Sequence, residues 1–244
     1  VDRTHILPCS ARVTPTYTKP LRPSASGHWN ELNRLDIRSR EPLPATATEE
    51  VCRHLRAMIR QIDGLIVLDQ VPEEDWGVIN RHVRQCLADL AGQYPSKLIY
   101  VDSRAQLKEF QFGVLKGNRD ELAQVTGVEA NDDQAVQKAA ERLCERTGQT
   151  VFCTLGEVGL MVAQPGQSAQ HDAAVPETGP VDIVGSADSA TAGLVTSIVA
   201  GADPVSAAAI ANLVASITVQ QLGTTGTATP EQIRDRWLEC QASR

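Results

Sequence analysis

The residues best placed to do chemistry lie in one short stretch, Asp182-Ile183-Val184-Gly185-Ser186-Ala187-Asp188-Ser189-Ala190-Thr191-Ala192-Gly193. Small side chains at Gly185, Ser186 and Ala187 let the backbone turn tightly into a helix, so successive N–H groups and the positive end of the helix dipole converge on one spot. That spot suits an anion such as a phosphate. Asp188 falls in the first helical turn, where a carboxylate can cap the helix or act as a general base beside the anion. On these residues alone both roles stay open. Three further segments carry polar residues at suggestive spacing: Asn118-Arg119-Asp120-Glu121, Thr154-Leu155-Gly156-Glu157-Val158-Gly159, and Asn212 with the later Gln221-Leu222-Gly223-Thr224. Taken singly they read as a solvated helix start, a strand-turn-strand hairpin, and a surface or capping Asn before a turn.

The elements that must position these segments alternate along the chain. Residues 1–44 are rich in Pro, Arg, Thr and Ser, and the pieces around Arg12 to Tyr17 and Leu32 to Ile37 suit short strands joined by turns. A helix is expected from about Thr48, because Val51, Leu55, Met58, Ile59 and Ile62 follow the helical period. Apolar runs at Gly64 to Asp69, Lys97 to Asp102, Gly113 to Lys116, Gln149 to Leu155 and Gly159 to Ala163 read as strands. Helices are expected at Glu73 to Gln93, Asp132 to Thr147, Ser189 to Val199 and Pro204 to Gln221. Strands alternating with helices imply an α/β fold, a largely parallel sheet with helices on both faces. Ligands of such sheets gather at the carboxyl ends of the strands, where Asp69, Asp102, Asn118 and Gly156 fall.

The stretch from Asp182 to Gly193 resembles the signature of the ribokinase-like, phosphofructokinase-B-type carbohydrate kinases, usually Asp-Thr-Val-Gly-Ala-Gly-Asp-Ser/Thr-Phe followed by Thr/Ala-Gly. The other three segments resemble that family's Asn-x-x-Glu, Thr-x-Gly-x-x-Gly and late helix-plus-turn motifs, and they occur in the family's order. A looser similarity upstream, through Thr14 to Pro20 and Asn33-Arg34-Leu35-Asp36, points to the lid of the heptose-kinase-like branch. The resemblance implies a three-layer α/β/α core over residues 45–244, with residues 1–44 supplying a small β lid. It also implies ATP with Mg²⁺, a monovalent cation in some relatives, a sugar or sugar-phosphate substrate, and a homodimer formed through the lid. By the same resemblance Asp188 takes the proton from the substrate hydroxyl, and Gly185, Ser186 and Ala187 form the anion hole. Asn118, Thr154, Gly156, Gly159, Asn212 and Gly223 would then hold the nucleotide. Glu121 would organise the metal, and Asp182 the turn or a cation.

Two departures carry expectations of their own. Ala187 stands where the family has a second glycine, so its Cβ is expected to crowd the phosphoryl group or to conflict with a positive φ. Ala190 stands where the family has Phe and removes packing beneath the turn. The resemblance further implies a long segment ahead of Val1 with the first sheet strand and the sugar-holding elements. A catalytically impaired relative that binds nucleotide or a partner is the rival reading.

Composition sets the outer bounds. The chain has 244 residues with 23 Lys+Arg against 30 Asp+Glu, a net charge of −7. No Lys/Arg-dense block offers the positive charge that nucleic acid or an anionic membrane surface requires. No apolar run reaches the length of a membrane span, and a cytoplasmic protein is expected. The six cysteines lack metal-ligand spacing and read as reduced, mostly buried thiols. The five histidines read as mutually distant incidental residues, and no Gly-x-Gly-x-x-Gly supports a dinucleotide-binding oxidoreductase.

Overall fold

A computed structural model of the chain describes residues 2–24, 29–129 and 132–242. Val1 and His28, one of the five histidines, lie outside the described residues. Four short strands come first: β1 (Thr16–Thr18), β2 (Leu21–Pro23), β3 (Trp29–Glu31) and β4 (Leu35–Ile37). β1 pairs antiparallel with β4, and β2 with β3, giving two separate ribbons rather than one sheet.

The central sheet is built from the apolar runs. β5 (Gly64–Asp69), β6 (Leu98–Ser103), β7 (Val114–Asn118) and β8 (Val151–Thr154) are parallel neighbours, and β9 (Gly159–Ala163) and β10 (Gln170–Ala173) extend the sheet antiparallel. Side chains alternate between its faces, as the two-residue period of a strand demands. Ile99, Val101, Leu115, Val151, Cys153 and Met161 join a core with residues of α1 (Ala45–Met58), α2 (Arg81–Gln93), α3 (Arg119–Thr126) and α4 (Asp133–Thr147). On the other face Tyr100, Phe152, Leu160 and Val162 join a second core with α5 (Ser186–Val199) and α6 (Pro204–Thr218). A last helix, α7 (Pro230–Ala242), lies against α6. The result is a three-layer α/β/α arrangement with a mostly parallel central sheet and small antiparallel ribbons beside it.

Small residues set how closely α5 and α6 approach. A Cβ added at Gly193 would sit 3.1 Å from the Ala211 Cα, and Ala207, Ala208 and Ala211 are fully buried in the same seam. Asp203 starts α6 by accepting the N–H groups of Val205 and Ser206 at 3.0 and 3.1 Å, with Pro204 at the first helical position.

The structure departs from the sequence-based expectations at definable places. The helix expected from Glu73 begins only at Arg81. Asn80 caps it by accepting the Val83 N–H at 3.0 Å, while Asp75 takes a φ of 60° and accepts the Arg81 N–H at 2.6 Å. Local side-chain capping outcompetes helical periodicity there. β10 and α7 were not expected. His5 and His54 are not distant: their rings meet edge to face with centroids 5.1 Å apart, because the N-terminal segment runs past α1. The cysteines are all free, with Cys52, Cys86, Cys144 and Cys153 buried and Cys9 and Cys240 half-buried. Among the described residues no helix is long and apolar enough to cross a membrane.

Candidate functional site

The turn into α5 is shaped by one glycine. Gly185 has φ +79°, and a Cβ there would lie 2.9 Å from both the Cβ and the carbonyl oxygen of Thr225, so the position excludes side chains on two counts. Ser186 opens α5, and Ala187 already lies in its first turn without a positive φ. The expected backbone conflict at Ala187 is therefore absent; its methyl is simply part of a cavity wall. Ala190 is buried in the second core with Leu160 and Leu194, which fills the position without a large side chain.

The expected set of donors is corrected in one respect. The Ser186 N–H turns back to the Ile183 carbonyl at 3.2 Å, and the Ser189 N–H closes the first helical bond to Gly185 at 2.9 Å. The N–H groups of Gly185, Ala187 and Asp188 meet no acceptor among the described residues, so the open donors are 185, 187 and 188 rather than 185 to 187. Asp188 is exposed, and its carboxylate accepts no hydrogen bond among the described residues. Asp182 braces the turn from behind: its carboxylate accepts the Val184 N–H at 3.0 Å and the Gly223 N–H at 2.9 Å, and its own N–H reaches the Val219 carbonyl at 2.7 Å. Those two backbone donors, Val184 first, hold its carboxyl below the usual carboxylate range. The geometry gives Asp182 and Gly223 a turn-holding role.

Asn118 and Thr154 are register partners at the carboxyl ends of β7 and β8, which brings two of the motifs side by side. Asn118 and Glu121 form a reciprocal cap on α3: the Glu121 N–H donates to Asn118 Oδ1 at 2.9 Å, and the Asn118 N–H donates to Glu121 Oε2 at 2.7 Å. Burial pushes the Glu121 carboxyl above its ordinary range, opposed by the Asn118 N–H and by Lys116. Gly159, with φ +115°, closes the turn after Thr154; a Cβ there would sit 2.2 Å from the Asp172 carbonyl oxygen. Asn212 ties α6 to the sheet by donating to Asp172 Oδ2 at 2.6 Å and to its carbonyl at 3.1 Å. Behind Thr154, burial pushes the Cys153 thiol up to about 12, which leaves it protonated and inert.

A cavity of about 920 Å³ collects most of these positions, with Asn118, Thr154, Gly156, Gly159, Ser186, Ala187 and Asn212 all in its wall. Its size falls within the roughly 300–1,000 Å³ typical of small-molecule sites. Gly185, Asp188, Glu121, Asp182 and Gly223 do not line it; they stand on the turns at its margin. A second cleft of about 910 Å³ opens at the amino ends of the strands, around Asp63, Lys97 and Gln149, and none of the motif residues lines it.

A buried ion pair lies outside the motifs. Lys116 Nζ lies 2.9 Å from Asp102 Oδ2, with side chains 6% and 11% exposed, across the β6–β7 pairing where the two are register partners. The alternation of the strands puts both on the α5 face, in the row that ends at Asn118. A lysine two residues before that Asn, inside an otherwise apolar strand, was the available signal. Among the described residues no group of three or more His, Cys, Asp or Glu side chains could cage a metal. Mg²⁺ is commonly held by one or two protein carboxylates together with substrate phosphates, and Glu121 at the cavity margin is one carboxylate that could serve it.

The sequence pattern of the pfkB family carbohydrate kinases matches residues 44–232. This chain belongs to that family. The bifunctional protein HldE of Desulfatibacillum aliphaticivorans is 28% identical over 226 residues, covering 88% of this chain and 44% of the relative. HldE of Caulobacter sp. strain K31 is 29% identical over 174 residues, 69% of this chain and 34% of that one. The pfkB-family chain thus spans less than half the length of these curated relatives. A ribokinase of Arabidopsis thaliana, solved with ribose and ATP, superposes with a TM-score of 0.66 at 18% identity, covering 92% of this chain and 69% of that one. Phosphofructokinase-2 of Escherichia coli gives 0.67 at 18% identity, covering 90% and 68%. These likenesses establish the fold.

Proposed function

We propose that this pfkB-family chain is the core of an ATP-dependent kinase that phosphorylates a hydroxyl of a sugar or sugar phosphate in the cytoplasm. The observation that carries the reading is that one cavity is lined by residues from four motifs far apart in sequence: Asn118, Thr154 with Gly156 and Gly159, Ser186 with Ala187, and Asn212. Asp188 would accept the hydroxyl proton. Open N–H groups at the head of α5 would hold the phosphoryl group as its charge spreads, the main requirement of phosphoryl transfer. Asn118 and Glu121 would face the phosphates. Mg²⁺ on the nucleotide would neutralise phosphate charge. Asp182 keeps the turn shaped and would border any monovalent cation. Thr154, Gly156, Gly159, Asn212 and Gly223 would bound the nucleotide. Residues 1–44 would act as a lid over residues 45–244, and their exposed Leu35 and Ile37 suit contact with substrate or with the lid of a second copy.

The test is sugar-dependent ADP release across hexoses, pentoses and heptose phosphates. Asp188→Asn is expected to lower kcat by about 10²–10⁴-fold, the usual contribution of a general base. Turnover unchanged by that substitution would remove Asp188 from its role.

A further inference from the structure

Residues 174–185, between β10 and α5, contain no regular secondary structure before the helical turn, yet Val175, Pro176, Glu177 and Val181 form one side of the cavity. Such a wall needs anchoring from outside itself, because it has no ladder of backbone bonds. Its ends are held by the Ala174 N–H on the Val158 carbonyl at 3.1 Å and by the Asp182 brace. Its middle is held by α7. The Arg236 guanidinium donates to the Pro176 carbonyl at 3.0 Å, to Glu177 Oε1 at 2.6 Å and to Ser216 Oγ at 3.2 Å, and the last of these also lines the cavity. Glu177 Oε2 accepts from Gln220 at the end of α6. The Arg236 and Glu177 side chains are 21% and 13% exposed, so the pair is sheltered from the screening that weakens surface ion pairs. Arg236 also stands beyond residue 232, where the family match ends.

We propose that Arg236 is a positioning residue for the nucleotide: its planar fork holds the 174–183 wall against α6 and so sets the width of the cavity. The inference rests on the nucleotide-binding reading above. It does not place Arg236 in contact with ligand.

The experiment measures Mg-ATP affinity by titration calorimetry, together with amide hydrogen exchange, on the full chain and its variants. Arg236→Ala is expected to weaken Mg-ATP by about tenfold, in keeping with loss of a charge-assisted hydrogen bond to Glu177 together with the bond to the Pro176 carbonyl. Glu177→Gln, which leaves in place the Arg236 bonds to the Pro176 carbonyl, to Ser216 Oγ and, at 3.1 Å, to Glu239 Oε2, is expected to weaken binding in the same direction. The double variant should bind no worse than Arg236→Ala alone, since the two act as one unit. Amides of residues 177–183 should exchange faster in both single variants, and Arg236→Lys should not restore affinity because an ammonium cannot reproduce the fork. Wild-type binding that survives Arg236→Ala within twofold, or losses that add in the double variant, would overturn this inference alone. No Mg-ATP binding by the wild type would overturn the nucleotide reading and this inference together.

Discussion

Of the two expectations that Ala187 raises, the backbone settles one. Where a glycine is usual, an alanine invites the expectation of strain, but only Gly185 needs a left-handed backbone here. Ala187→Gly is therefore expected to change kcat by less than about tenfold, a barrier difference of about 1.4 kcal/mol. A rise far above that would show that the methyl obstructs the phosphoryl group. Gly185→Ala should instead be destabilising by about 1–3 kcal/mol through forced φ and the clash with Thr225, measured by urea unfolding. Glu121 yields a prediction with a sign. Burial raises its folded pKa above the unfolded value, so the folded state binds the extra proton between the two. Its contribution to stability falls as pH rises through that window, and at pH 7.5 the charged form is a net burden. Glu121→Gln, which can still accept the Asn118 N–H, is expected to raise Tm at pH 7.5 relative to wild type, with the gain shrinking as pH falls toward 4.5. If Glu121 serves the phosphates, the same variant should lose about 10–100-fold in activity, as supporting residues of metal sites commonly do. A Tm gain that did not shrink on acidification would contradict the burial argument.

At the scale of elements, β6 and β7 are joined by more than their backbone ladder. The Asp102–Lys116 pair is nearly shut off from solvent, and removing one member strands the other's charge. Lys116→Met is expected to destabilise by about 3–5 kcal/mol, whereas Lys116→Met with Asp102→Leu should recover most of that loss, because a buried pair replaced by apolar groups is often neutral. Urea midpoints of the two variants decide it. The pair could not be derived from motif spacing, since its partners are close only through strand register. The element boundaries show the same limit. β9 is read correctly at Gly159–Ala163, where a full apolar run faces a core on both sides. α7 was missed because its Trp237 and Leu238 stay exposed and the helix contributes no buried residue, so it carries little of the periodic signal that marks a packed helix.

At the scale of the whole molecule, β5 ends the described sheet with one backbone edge unpaired and Ile66 and Leu68 41% and 47% exposed. Most of the alternation of strands and helices, though not β10 or α7, was legible from residue type and spacing together with the mostly parallel sheet and the four motif segments, because strand runs, glycine turns and capping residues are local signals. Family resemblance assigned roles to those segments before any contact was known. Tertiary structure alone decided which amides of the α5 turn stay open, that Asp182 and Gly223 brace one another across 41 residues, that Lys116 meets Asp102, and that Arg236 reaches back to Glu177. Each of those facts depends on segments distant in sequence arriving at one place, and the free energy that brings them there comes from packing two cores against one sheet, which no local pattern records.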